Sequence, residues 1–218
     1  MKDWTQPSPD SAAPQVAVLV AHPDDEILWC GGLLLSHPGW STFVAGLCRG
    51  GDPDRAPRFF RVLETLGAQG ALSDLDDGPD QAPLPEGVAE AAVLALLPQR
   101  QYDLVLTHAP QGEYTRHRRH EELYWATWRL WRRGALRTGA LWLFAYEDDE
   151  GRRLPMARAD APFRLPLADP VWAAKRDFIT GLYNYGDTSW EALATPRVEA
   201  FYGFDDPETA AQRFGECP

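Results

Sequence analysis

The chain has 218 residues, a length that suits one α/β domain with a full hydrophobic core. Its 21 Lys and Arg against 32 Asp and Glu give a formal net charge of −11. That balance excludes broad nucleic-acid binding, because the phosphate backbone selects a basic surface. No apolar run approaches the ~18 residues of a membrane helix. Cys30, Cys48 and Cys217 form no CxxC spacing, which suits a reducing cytoplasm and argues against a disulfide framework.

Residues 1–14 are polar and hold three prolines without an apolar core, so they read as a disordered leader and not as a signal peptide. Residues 15–218 read as a single domain, with no internal repeat and no linker. Val16 to Ala21 is apolar and β-branched, a first strand. Ile27 to Ser36 reads as a helix, with Gly31 and Gly32 allowing close packing. Thr42 to Cys48 is a second strand. Asp54 is the expected cap of a helix from Pro57 to Leu66, with Gly67 just past its end. Ala71 to Ser73 is a weak third strand, and Gly87 to Leu97 is an Ala- and Leu-rich helix. Asp103 to Thr107 is a further strand. Arg119 to Arg133 is a helix whose Tyr124, Trp128 and Trp131 recur on one face. Leu141 to Tyr146 is apolar enough for a strand buried on both faces. Val171 to Tyr183 reads as a last helix. Strands alternating with helices imply right-handed crossovers and a mainly parallel α/β sheet, whose ligand crevice lies beyond the carboxyl ends of the strands.

Two segments place chemistry at that rim. The first strand runs straight into Ala21-His22-Pro23-Asp24-Asp25-Glu26, and His108 follows the strand that ends at Thr107. Packing gives a strand end no reason to gather an imidazole and two carboxylates, and a buried carboxylate needs a partner. The chain has 5 histidines, and His108, His117 and His120 fall close together; His37, in a turn before Pro38, reads as structural. Imidazole and carboxylate suit Zn²⁺, which in catalytic sites takes three protein ligands and leaves a place for water. His22 and Asp25 are near enough to chelate together, and His120, at a helix start, is the best third ligand. Asp24 is then placed to take a proton from water, and His117 to face a developing oxyanion or protonate a leaving group. His108 is open to two readings, a substrate contact or a hydrogen-bonded loop residue. There is no GxSxG elbow, no GxGxxG after the first strand and no phosphate-binding GxxxxGK[ST]. His120-Glu121 does not extend to HExxH, because residue 124 is Tyr.

AHPDDE over Ala21 to Glu26, the THxPxGEY segment from Thr107 to Tyr114 and the HxxH of His117 and His120 together resemble the LmbE-like or PIG-L family of zinc-dependent de-N-acetylases. The resemblance runs from about Val16 to Arg133 and more loosely to Tyr183. It implies a Rossmann-like three-layer α/β/α sandwich, and a small-molecule N-acetylated sugar conjugate as substrate, with no nucleic acid and no membrane as partner; a homo-oligomer is compatible with it. It implies zinc on His22, Asp25 and His120, with Asp24 as general base and His117 as oxyanion partner. Arg55, His108 and Glu113 are the candidate substrate contacts. Two departures stand out. Arg58 occupies a position where an acid is usual, and Arg119 replaces the acid of the family's GHPDH. Either the pKa of His117 falls without that acid, or Glu113 or another acid takes its place. The activity implied is removal of an acetyl or other small acyl group from an amine. Hydrolysis of a different amide or an ester at the same site, and a non-catalytic protein with a degenerate site, are the alternatives.

Overall fold

The computed structural model describes residues 2–4, 13–114 and 116–215. Cys217 and most of the expected leader (1 and 5–12) lie outside the described residues; within that stretch Trp4 is buried, edge-on to Trp40 at 5.8 Å.

In chain order the elements are β1 (Gln15–Val20), α1 (Asp25–Ser36), β2 (Ser41–Cys48), α2 (Arg55–Leu66), β3 (Gln69–Leu75) and α3 (Val88–Leu96). They continue with β4 (Gln101–Tyr102), β5 (Leu104–Thr107), α4 (Arg118–Arg132), β6 (Arg137–Thr138), β7 (Leu141–Phe144), β8 (Tyr146–Glu147) and β9 (Met156–Ala157). The last part holds β10 (Phe163–Pro166), α5 (Asp169–Asp177), a π-helical turn (Phe178–Leu182), α6 (Trp190–Ala194), β11 (Val198–Phe204) and α7 (Pro207–Phe214). Seven strands form the central sheet in the order β10-β11-β7-β5-β1-β2-β3. β1, β2, β3, β5 and β7 are parallel, while β11 runs antiparallel to β7 and β10 antiparallel to β11.

Alternation along β1 builds the three layers. Val16, Val18 and Val20 join the core under α1 and α2, whereas Ala17 and Leu19 join the opposite core with residues of α3 and α4. Tyr124, Trp128 and Trp131 all pack into that second core, as their spacing predicts. The sheet is therefore covered on both faces, the α/β/α sandwich with a mainly parallel sheet that was expected.

Four local expectations need correction. Asp54 does not cap α2: Asp52 Oδ1 accepts from the N–H groups of Asp54 and Arg55, both at 2.9 Å, and Asp54 pairs with Arg58 instead. α1 begins at Asp25, two residues before the apolar run, because Asp24 O already accepts from Ile27 N and Leu28 N. The run from Leu141 breaks after Phe144, and Tyr146 enters a separate two-stranded pairing with Ala157. The last predicted helix passes at Phe178 into a π turn. The antiparallel pair β10–β11 gave little sequence signal, as its edge strand alternates half-buried and exposed positions.

α1 is held to the sheet by a buried ion pair. Lys175 of α5 and Glu199 of β11 are fully buried and meet at 2.6 Å. Glu199 also accepts the main-chain N–H groups of Gly32 and Leu33, at 2.6 and 2.7 Å. A Cβ at Gly32 would sit 2.4 Å from the Leu167 side chain and 3.0 Å from Glu199 Oε1, so a larger residue here requires Leu167 to move. Removing one partner of a buried pair leaves an uncompensated charge. Lys175→Met is therefore expected to cost about 3–5 kcal/mol of stability. Urea unfolding followed by circular dichroism checks this; a loss under about 1 kcal/mol contradicts it.

Candidate metal centre and active site

The site lies where parallel sheets place ligands, beyond the carboxyl ends of neighbouring strands. β1 delivers His22, Asp24 and Asp25, β2 delivers Arg49, β3 delivers Asp76 and Asp77, and β5 delivers His108. α4 starts beside them with His117 and His120. Asp24 has φ 112°, a left-handed conformation that costs energy for a residue other than glycine. It is held by Glu26, fully buried, whose Oε2 accepts Asp24 N at 3.1 Å and whose Oε1 accepts the Tyr183 hydroxyl at 2.6 Å. Burial pushes the Glu26 carboxyl up to about 8.

Three of the predicted residues converge. His22 Nδ1 lies 3.2 Å from Asp25 Oδ2 and 3.3 Å from His120 Nε2, and the third side of the triangle, His120 Nε2 to Asp25 Oδ2, is 3.5 Å. Ligand atoms at zinc distances of ~2.0–2.1 Å on tetrahedral corners stand roughly 3.3 Å apart. The donor set and its spacing thus fit a tetrahedral cation of the zinc type with one corner left for water.

The outward atoms of the triangle are also tied. His22 Nε2 faces Asp77 Oδ1 at 3.2 Å, His120 Nδ1 faces Glu113 Oε2 at 2.6 Å, and Asp25 Oδ1 accepts from Trp29 Nε1 at 2.9 Å. Such outer contacts fix the tautomer that turns each imidazole lone pair to a metal. Burial opposes protonation of His22, but the carboxylates of Asp25 and Asp77 outweigh it and raise its pKa to about 10. Asp25 is held well below the usual range: burial pushes it up, and His120, His22 and His108 prevail.

Asp24 and His117 flank the triangle on a cleft of about 240 Å³, also lined by Arg49, Arg55, Asp77 and Tyr185. Asp24 Oδ2 accepts from Arg55 Nη1 at 2.9 Å and from the Tyr185 hydroxyl. Burial, then the charge of Asp25, pushes Asp24 up to about 7 against the pull of Arg55 and Tyr185. His117 Nε2 stands 2.9 Å from the Gln81 side-chain nitrogen, and Gln81 Oε1 accepts from Arg118 N at 3.0 Å. That orientation makes Gln81 the donor and leaves the proton of His117 on Nδ1, which has no hydrogen-bond partner among the described residues. Burial, with His120 and His22 nearby, lowers His117 to about 3.

Arg55 lines the cleft. His108 and Glu113 do not. Both are fully buried: Glu113 Oε2 bridges His108 Nδ1 at 2.9 Å and His120 Nδ1, and His108 Nε2 accepts from Ala21 N at 3.0 Å. Direct contact with a substrate does not fit that placement; the two residues hold His120 from behind. The carboxylate nearest His117 is Asp77 at 4.0 Å, not Glu113. Arg119 turns away from His117 into the protein. His37 is structural, bonded to Leu33 O at 2.8 Å and stacked on Trp40. Asp77, Gln81, Tyr185 and Trp190 escaped the sequence reading. Only Asp76-Asp77, directly after a strand, carried a signal of the HPDD kind.

No family model and no curated protein matches the sequence. Among solved structures the fold is similar to N,N'-diacetylchitobiose deacetylase from Pyrococcus horikoshii, at 16% identity and TM-score 0.63, over 88% of this chain and 84% of that one. It is similar to a deacetylase of the A40926 pseudoaglycone at 14% identity and TM-score 0.60, over 89% and 98% of the two chains. It is also similar to the 4-carboxy-2-hydroxymuconate hydratase GalB from Pseudomonas putida KT2440, at 15% identity and TM-score 0.59, over 87% and 95%. The shared feature is the fold, the one the motif resemblance implied. Among the described residues no helix is long and apolar enough to cross a membrane.

Glu113→Ala is expected to leave two buried imidazole N–H groups without an acceptor and to lower stability by at least about 2 kcal/mol. Chemical denaturation measures this, and an unchanged midpoint would contradict the bridging role.

Proposed function

We propose that the protein is a metal-dependent de-N-acetylase: a hydrolase that removes an acetyl or other small acyl group from an N-acylated amino sugar conjugate. The observation that carries this reading is the triangle of His22, Asp25 and His120 beside a carboxylate, Asp24, that faces the same cleft. The fold neighbours named as deacetylases support the reaction class. The proposed enzyme is cytoplasmic, with one catalytic domain over residues 15–218.

His22, Asp25 and His120 would hold the cation, with zinc the proposed metal. When bound, a zinc-type cation lowers the pKa of water to ~7 and polarises an acyl oxygen. Asp24 takes one proton from the attacking water, and Arg55 and Tyr185 keep its carboxylate aimed at the cleft. The water oxygen bonds to the acyl carbon, the carbon–nitrogen bond breaks, and the amine leaves with the proton Asp24 collected. His117 lines the cleft and would stabilise the carbonyl oxygen as charge develops there. Arg55 and the rim of the cleft orient the sugar. Glu113 and His108 act on the substrate only through His120.

The test is acetate release from N-acetylglucosamine conjugates. Wild-type protein is expected to be active, to lose activity with a chelator and to regain it with Zn²⁺. Asp24→Asn, loaded with metal, is expected to lose at least about 10²-fold in kcat with KM little changed, the range of a general base. Activity that persists after complete metal removal, or in Asp24→Asn, overturns the mechanism. The hydratase among the fold neighbours sets the rival reaction, water addition to an unsaturated acid. Turnover of such an acid with no acetate from any N-acetyl sugar would favour that rival.

A further inference from the structure

Arg119 lies between the two histidines at the start of α4, and its side chain is fully buried. A buried guanidinium requires acceptors for its fork of N–H donors. Arg119 finds them on one segment and one neighbour. Nε donates to Asp76 O, Nη2 to Ala82 O at 2.9 Å and to Asp76 Oδ2 at 3.2 Å, and Nη1 to Glu122 Oε2 at 2.5 Å. The other oxygen of Glu122 accepts Leu84 N at 2.9 Å. The first turns of α4 therefore grip residues 76–84 at both ends.

Between those grips the segment sends two side chains into the site. Asp77 reaches His22 Nε2 and Gln81 reaches His117 Nε2, at 3.2 and 2.9 Å. The other side-chain anchor of Asp77 is Arg49, at 2.7 Å, and the Arg49 side chain is 47% exposed. That pair is two-pronged, through Nε and Nη2, and solvent screens it from the Arg49 side, Asp77 being only 9% exposed. Arg119 is thus the buried fastening of a segment that has no helix or strand of its own between β3 and α3.

We infer that Arg119 is a positioning residue that fastens segment 76–84 so that Asp77 holds His22 with its Nδ1 lone pair toward the cation. An acid on α4 could address His117 directly; this chain instead uses α4 to fix a separate segment, which supplies both the carboxylate and the amide. The inference rests on the metal reading above.

The experiment measures Zn²⁺ affinity by competition with a chromogenic chelator in Asp77→Asn, Arg119→Met, Arg119→Lys and the Arg119→Met/Asp77→Asn double variant. Loss of an outer-shell contact of this kind weakens metal binding 10–100-fold, so Asp77→Asn is expected in that range. Arg119→Met is expected to weaken it about tenfold or more, and Arg119→Lys to recover part of the loss. Because Arg119 acts through Asp77, the double variant is expected to bind no more weakly than Asp77→Asn alone. Glu122→Ala loosens the same segment and serves if Arg119→Met does not fold. Phe214→Ala, in α7 against Tyr202 and Phe204 and away from the segment, is expected to lose stability and keep wild-type affinity. Wild-type affinity in both Arg119→Met and Glu122→Ala, or losses that add to that of Asp77→Asn, overturns the inference. A wild-type protein that takes up no Zn²⁺ overturns the metal reading, and this inference falls with it.

Discussion

Asp25 Oδ2 is the atom around which the site is arranged. It lies within 3.2 to 3.6 Å of ring nitrogens from His22, His120 and His108, and it also accepts His22 N at 2.9 Å. A carboxylate this deep is tolerable only if its surroundings repay the lost hydration. That requirement reaches outward. His120 must be oriented, so Glu113 is buried behind it; Glu113 must be compensated, so His108 is buried beside it. Both then depend on β1 and β5 ending at the same level, which their parallel register provides.

The same requirement explains why α1 is anchored at its far end. The carboxylates occupy its first turn, where the helix dipole favours negative charge. Their position is therefore only as exact as that of the helix axis. Glu199 bonds two main-chain N–H groups within the helix, Lys175 neutralises Glu199, and the Tyr146 hydroxyl donates to Trp29 O at 2.9 Å. These contacts come from α5, β11 and β8, elements of the C-terminal third. That part of the chain contributes little metal-ligating chemistry, yet it sets where the ligands stand.

The legible parts of the sequence were those in which local pattern and global role coincide. β1 is apolar on both faces because helices cover both, and HPDD follows it because strand ends face the crevice. The periodic Tyr124, Trp128 and Trp131 face a core for the same reason. Illegible parts depend on partners distant in sequence. Glu113 reads as a loop acid near His117, and its actual role appears only when His108 and His120 stack at 3.8 Å. Tyr185 meets Asp24 from 161 residues away, across a π turn that no local pattern announces. Asp54 looked like a cap because Pro and Gly bracket the helix, but Asp52 is better placed to reach two free N–H groups.

The arginines near the site show how charge count and charge availability differ. By composition, Arg116, Arg118 and Arg119 beside two histidines suggest a receptor for an anion. Yet Arg116 is paired with Glu121, Arg119 with Glu122 and Asp76, Arg49 with Asp77 and Arg55 with Asp24. Along the cleft itself two arginines face four acids, Asp24, Asp25, Asp77 and Glu191. Counted as carboxylates against guanidinium groups alone, the lining is acidic. With a divalent cation in the triangle the formal balance approaches neutrality, and the remaining donors and acceptors are fixed in pairs that present both. The count of arginines near the site therefore overstates the positive charge free to meet a ligand, since the two that line the cleft are already paired with Asp77 and Asp24.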